Sequence, residues 1–197
     1  MEPPTTCATG HRLECDYLVV GSGAASLAFV DTLLIELPET KIILIDKKES
    51  PGGHWVDAYG FVRLHQPSRF YGIASSQLEG DCLQTTTPTS FVHPKKHRAN
   101  KQEILDHFGS FVDAKIASGR LGFYPKCVYE FETGEIYASS VSNGKEDNSN
   151  LHFFRSVDGS ESYRVKVNVK VIDGTNGECI IPHGTPLAIS KSVCPFS

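Results

Sequence analysis

Residues 17–26, YLVVGSGAAS, decide how this chain is read. Tyr17 to Val20 is a short apolar run rich in β-branched residues, the pattern of a strand buried on both faces. Gly21 and Gly23 follow, then an apolar stretch from Ala25 to Leu37 that Pro38 ends, since proline cannot continue a helix. Ile42 to Ile45 is a second apolar run. Strand, glycine turn, helix and strand make a βαβ unit.

In that setting the glycine turn predicts a phosphate cradle. Gly21 permits the tight turn, and Gly23, lacking Cβ, lets a pyrophosphate approach the backbone. Ser22 sits between them, and Ala24, Ala25 and Ser26 open the helix, whose first turn offers unpaired N–H groups and about half a positive charge. Ser26 stands where such fingerprints prefer glycine or alanine, which predicts slightly looser packing of helix on strand. Asp46, 25 residues after Gly21, ends the second run and can accept from both hydroxyls of an adenosine ribose. A carboxylate there repels a 2′-phosphate and speaks against NADP, though Lys47 and Lys48 soften the point. The plainer readings are a glycine-rich turn and a turn aspartate.

The next residues, PGGHW from Pro51 to Trp55, bring two adjacent glycines and the chain's only tryptophan. A plain NAD site has no use for them, whereas a flavin dinucleotide has a longer arm that needs close backbone approach. GSGAAS, Asp46 and the turn Gly52, Gly53, His54, Trp55 together resemble the FAD-binding half of flavin-dependent monooxygenases and related two-dinucleotide oxidoreductases. The resemblance spans roughly residues 14–180. It implies an α/β, Rossmann-like fold of the glutathione-reductase type, with a parallel sheet and an antiparallel β-meander. It also implies FAD, with the GGHW turn lying along it and Trp55 as a wall beside it; a core tryptophan is the compatible plain reading. In YGFVRLHQPSRFYG it places Arg63 near the flavin, with His65 and Gln66 able to bond the ring or substrate. These three are the catalytic candidates; a surface ion pair and ordinary polar roles are the alternatives. By the same resemblance SGRLGFYPKCVYEF is similar to the strand that brings backbone groups to the adenine, at about Cys127 and Val128. VKVIDGT, with Gly174, resembles the segment that returns the chain to the cofactor.

Two features of that family are missing. No second strand–GxGxxG–helix follows Ile172, and no terminal acidic segment for the ribityl chain is present. The expectation is therefore a disordered leader at 1–13, an FAD-binding domain at 14–180, and a tail at 181–197 that is a truncated connection to a missing NAD(P)-binding domain. The expected function is an FAD-binding oxidoreductase of monooxygenase type. NAD(P)H is the reductant expected of the full architecture, without a site in this chain. The alternatives are a non-catalytic dinucleotide-binding or interaction module, and an NAD-dependent dehydrogenase, which leaves PGGHW unexplained. The expected partners are the cofactor and a small-molecule substrate, with a partner chain or oligomer as one way to complete the flavin site.

The remaining chain supplies elements. Gly52 to Pro94 is aromatic and turn-rich, as binding loops are. Asn100 with Glu103 predicts a capping box, and Ile104, Leu105, Phe108, Phe111, Val112 and Ile116 recur at helical spacing up to a stop at Gly119. Leu121 to Val141 reads as extended chain interrupted at Gly134. LHFFRSV and ESYRVKV predict a hairpin turning at Asp158-Gly159, and Val167 to Ile172 a further strand.

A chain of 197 residues with 40% apolar and 21% charged residues fits one globular domain, and a net charge of −4 argues against non-specific nucleic-acid binding. No run approaches the length of a membrane span, and six scattered cysteines without a CxxC point to reduced thiols in the cytoplasm. No metal is expected: Pro94 between His93 and His97 spoils a shared helical face. Lys95, Lys96, His97, Arg98 and Lys101 read as a solvated basic run. Neither GxSxG nor HExxH occurs, so hydrolase chemistry has no support.

Overall fold

The computed structural model describes residues 11–78, 97–130 and 150–175. Strand β1 (His11–Val20), helix α1 (Ala24–Glu36) and strand β2 (Ile42–Ile45) form the βαβ unit, with β1 and β2 parallel. Strand β1 begins earlier than Tyr17, and its first residues fall within the stretch expected to be a leader. The cause is its partner: His11 to Cys15 pair with Tyr163 to Val167, giving polar residues a ladder that hydropathy does not signal.

After β2 come a 3-10 turn (Gly53–Val56), a second one (Ser68–Phe70) and a short hairpin of β3 (Gly72–Ile73) and β4 (Ser76–Gln77). Helix α2 (Lys101–Ala117) leads to β5 (Leu121–Tyr124), β6 (Cys127–Tyr129), β7 (Leu151–Ser156) and β8 (Ser162–Asp173). The main sheet has the order β5-β2-β1-β8-β7-β6. Its first four strands are parallel, and β8, β7 and β6 form the antiparallel meander. The hairpin strand and the strand expected at 167–172 are one continuous element. Strand β8 pairs with β7 through its first half and with β1 along nearly all its length.

Side-chain alternation divides the core into two layers. Val19, Ile42 and Leu44 meet Leu27, Val30 and Leu34 of α1 and Ile104, Phe108 and Val112 of α2. Leu18, Val20, Ile43 and Ile45 point the other way, onto Cys127, Phe154, Val165 and Val167 of the meander. A sheet covered on both faces needs unbroken apolar strands, which is why YLVV and IILI carry no polar alternation. The meander layer is aromatic: Phe154 stacks on Tyr163 at 4.7 Å, and Tyr124 meets both edge-on.

Helix α2 caps itself. The Asn100 side chain accepts from the Glu103 N–H, and the Glu103 carboxylate accepts from the Asn100 N–H. Gly119, at φ +73, ends it. Gly159, also at φ +73, turns the β7–β8 hairpin, where Asp158 accepts from Ser160. Residues 131–149 with the Gly134 break, His93 and the expected tail lie outside the described residues. Among those described, no helix is long and apolar enough to cross a membrane.

Candidate functional site

Strands β1, β2, β5 and β8 all end at one edge, with Val20 beside Ile45 and Asp173. The helix-linked strand β2 lies on one side of β1, and β8 on the other. This is a topological switch point, the place where open α/β sheets hold ligands. The glycine loop sits there. The Gly21 N–H donates to the Ile45 carbonyl and the Gly174 N–H to the Val20 carbonyl, each at 2.8 Å.

The two loop glycines serve different needs. Gly21 has φ +92, and a Cβ on it would lie 3.2 Å from the Gly174 carbonyl, so the fold itself requires glycine. Gly23, the N-cap of α1, has φ −74, and a Cβ there would meet only the Gly53 Cα, at an ordinary 3.8 Å. Nothing among the described residues demands glycine at 23. Among the described residues no side chain caps α1 either, so the N–H groups at its start, among them those of Ala24 and Ala25, lack the partners that α2 provides for itself. A bare amide cluster opened by a dispensable glycine fits a diphosphate.

Asp46 ties this loop to β2. Its Oδ2 accepts from the Ser22 N–H at 2.6 Å and the Ser22 hydroxyl at 2.7 Å, while Oδ1 accepts from the Lys48 N–H at 2.8 Å. Ser22 is fully buried and Asp46 is 7% exposed. The glycine pair then closes on the same loop. The Gly52 N–H donates to the Ser22 carbonyl, and a Cβ on Gly53 would fall 2.8 Å from the Gly23 Cα. Gly52 and Gly53 have φ of +135 and +57. The PGG turn therefore needs its second glycine in order to lie against the first glycine loop. Lys48 pins it, donating to the Gly53 carbonyl at 2.7 Å and pairing with Asp57.

Ser26 corrects an expectation. Packing around it is tight, because the small residue sits on the opposing element: a Cβ on Gly174 would come within 2.0 Å of the Ser26 hydroxyl oxygen. That hydroxyl is buried with no hydrogen-bond partner among the described residues. Ser26→Ala is expected to stabilise the protein by about 1 kcal/mol, the low end of the cost of a buried unsatisfied group. The unfolding midpoint should then rise by about 2–4 °C. A lower midpoint would show that the hydroxyl has a partner in solution.

Trp55 is a core residue. It is 6% exposed, its indole N–H donates to the Tyr71 hydroxyl at 2.6 Å, and the two rings meet edge-on. Burial raises the Tyr71 hydroxyl above its usual range, against the lowering effect of the donated indole N–H. His54, beside it, is exposed, as are Lys47, His65 and Gln66. The Arg63 guanidinium donates to the Arg98 carbonyl, and its backbone bridges Asn100. Ser68 extends the same zipper, bonding the His97 carbonyl and the Ala99 N–H. The Arg63, His65 and Gln66 segment is thus sewn to the chain entering α2.

The Cys127 N–H donates to the Asp46 carbonyl, which brings the start of β6 beside the acid, and Val128 next to it is 40% exposed. Burial pushes the Cys15 thiol up to about 12 and raises that of Cys127, so neither is a thiolate nucleophile at neutral pH. Lys101 leaves the expected solvated run: its ammonium caps the carbonyls of Val56 and Ala58, closing the first 3-10 turn. Nothing in the sequence singles out Lys48 or Lys101 as anchors, whereas a charge in the middle of an apolar helix is an available signal for Asp31.

No family model matches the chain. An uncharacterised protein of Mycobacterium tuberculosis is 31% identical over 189 residues, covering 95% of this chain and 31% of the relative. A protein of Mycobacterium bovis, likewise uncharacterised, matches equally. The chain thus spans about a third of the length of these curated relatives. Among solved structures, a flavin-containing monooxygenase from Stenotrophomonas maltophilia is similar at 16% identity and a TM-score of 0.52, over 83% of this chain and 38% of that one. A closed cyclohexanone monooxygenase gives 22% identity and a TM-score of 0.49, over 84% and 26%. What the Stenotrophomonas likeness shows is the fold, a Rossmann-like α/β domain whose parallel sheet carries an antiparallel meander.

Proposed function

We propose that this chain binds FAD and forms the flavin-binding part of an oxidoreductase of flavin-dependent monooxygenase type, with NAD(P)H as reductant in a longer protein. The observation that carries the reading is Gly23, a glycine the fold does not need at the mouth of an uncapped helix. The amides at the start of α1 hold the diphosphate, with the positive end of the helix dipole behind them. Asp46 receives the adenosine ribose, and the start of β6 lies on the adenine side. Gly52 and Gly53 keep side chains away from the loop, and Lys48 holds the Gly53 carbonyl. Arg63, His65 and Gln66 are the groups assigned to the flavin ring or substrate. Once bound, the flavin supplies redox chemistry, accepting electrons from the reductant and passing them to oxygen or a substrate. The similarity in fold to a flavin-containing monooxygenase is compatible with this assignment.

The test is a titration of the purified protein with FAD, followed by quenching of flavin fluorescence. One equivalent should bind, and ADP should compete. Asp46→Asn should weaken binding about tenfold, the scale of one lost hydrogen bond to a charged group. Failure to take up flavin at any concentration would end this assignment.

A further inference from the structure

We infer that Lys48 is a positioning residue of this site, whose ammonium holds the PGG turn against the glycine loop and so keeps the diphosphate cradle in shape. The inference deepens the dinucleotide reading above and rests on it. Contacts leave Lys48 in three directions. Its N–H donates to Asp46 Oδ1 at 2.8 Å, and its carbonyl accepts at 3.0 Å from the N–H of Lys126, the residue before β6. Its ammonium donates to the Gly53 carbonyl at 2.7 Å and pairs with Asp57. The backbone of this one residue thus supports the acid and the strand assigned to ribose and adenine. Its side chain, 19% exposed, supports the turn beside the glycine loop. Sequence alone offers this cation to a 2′-phosphate, whereas the fold engages it with Gly53 and Asp57.

The turn needs such a clamp. Two adjacent glycines, at φ +135 and +57, lose more conformational freedom on folding than any other pair of residues. Their approach to the glycine loop is backbone on backbone, so close that a Cβ on Gly53 would fall 2.8 Å from the Gly23 Cα. With no side chain at the contact, dispersion contributes little to hold the turn there. Among the described residues one backbone bond crosses between the two loops, from the Gly52 N–H to the Ser22 carbonyl at 2.9 Å. The ammonium adds a charge-assisted bond to the next residue of the turn, and Asp57 fixes its direction. Gly53 is thereby kept beside Gly23, at the mouth through which a diphosphate approaches the amides of α1. A turn free to lift changes the shape of that mouth and leaves the ribose acid and the adenine strand as they are.

The experiment compares wild type, Lys48→Met and Lys48→Arg in two measurements. Amide hydrogen exchange of the ligand-free protein follows the turn itself. Lys48→Met is expected to speed exchange of the Gly52 N–H about tenfold, the scale of one charge-assisted hydrogen bond. The Gly21 N–H, which donates to Ile45, should stay within about twofold of wild type as the control. Titration followed by NMR then tests the ligand. Lys48→Met should bind ADP about tenfold more weakly and adenosine as wild type does, because the N–H and carbonyl of residue 48 survive the substitution. A lysine that merely stabilised the fold would weaken both ligands together. Lys48→Arg, whose guanidinium can fork to the same two acceptors, should recover most of the ADP affinity. Unchanged Gly52 exchange in Lys48→Met, faster exchange with ADP binding intact, or equal weakening of ADP and adenosine overturns the inference and leaves the dinucleotide reading standing. Should Lys48→Met fold poorly, Asp57→Asn releases the ammonium from its ion pair and is expected to give the same pattern at smaller size. Absence of ADP binding by wild type overturns the dinucleotide reading, and the inference with it.

Discussion

Replacing Gly23 by alanine is expected to leave the unfolding midpoint of the ligand-free protein within about 2 °C of wild type and to lower FAD affinity about a hundredfold. The first half follows from geometry. At φ −74 any L-residue is comfortable, and the added Cβ meets the Gly53 Cα at 3.8 Å, an ordinary contact. Alanine is a poorer N-cap than glycine by about 0.5–1 kcal/mol. It also restricts the unfolded chain, which returns about 0.4–1 kcal/mol, so the two nearly cancel. The second half follows from where that methyl group stands, at the mouth of the uncapped first turn of α1, where a diphosphate would have to approach the amides. Gly21→Ala is the control. With φ +92 and the Gly174 carbonyl 3.2 Å away, it should damage the fold first and lose binding as a consequence. If Gly23→Ala binds flavin like wild type, the glycine is incidental and the amide cluster holds something else or nothing.

This pair of glycines also shows what a sequence can and cannot reveal. Period and punctuation are local properties, and they locate β2, the capping box at Asn100 and Glu103, the stop at Gly119 and the turn at Gly159. They also place the two loop glycines between a strand and a helix. They do not say which of the two the fold requires, because the atom that crowds Gly21 belongs to Gly174, at the far end of β8. The same holds for the second pair. PGG is legible as a turn with a purpose, but the purpose found in the structure is a backbone-to-backbone contact between Gly53 and Gly23, set by topology. Reading β8 as two pieces overlooks an alternation that runs unbroken through Val165, Val167, Val169 and Val171. What changes midway is the neighbour, since β7 pairs only as far as Lys166 while the ladder to β1 continues to Asp173. Lys101 resembles any of several solvated cations, since no local pattern announces that Val56 and Ala58 need a donor. Long-range pairs of this kind become visible only after the sheet order is known.

Asp31 is the strongest such case, and its removal should cost the most stability. It lies in the middle of α1, its side chain wholly inaccessible, in a helix whose other residues, apart from the terminal Glu36, are apolar or small. One carboxylate oxygen accepts from the Ser75 N–H at 2.8 Å, the other accepts from the Ser75 hydroxyl, and the Lys115 ammonium stands 3.9 Å away. The acid therefore joins three elements: α1, the β3–β4 turn and the end of α2. Asp31→Ala leaves the N–H and hydroxyl of Ser75, an exposed residue, and the largely buried Lys115 ammonium without their acceptor, and the stranded ammonium sets a cost of about 3 kcal/mol, the scale for deleting one partner of a buried pair. The unfolding midpoint should fall by about 6–12 °C. Asp31→Asn keeps one acceptor for the Ser75 N–H and turns the other oxygen into an amide donor that the Ser75 hydroxyl can accept from, so with the charge lost and the bonds largely kept it should lose about half as much. A double-mutant cycle with Ser75→Ala isolates the shared bonds, and the two changes together should cost clearly less than their sum. A loss below about 1 kcal/mol in Asp31→Ala would mean that burial of Ile73 alone holds the hairpin on α1, with the carboxylate merely tolerated there.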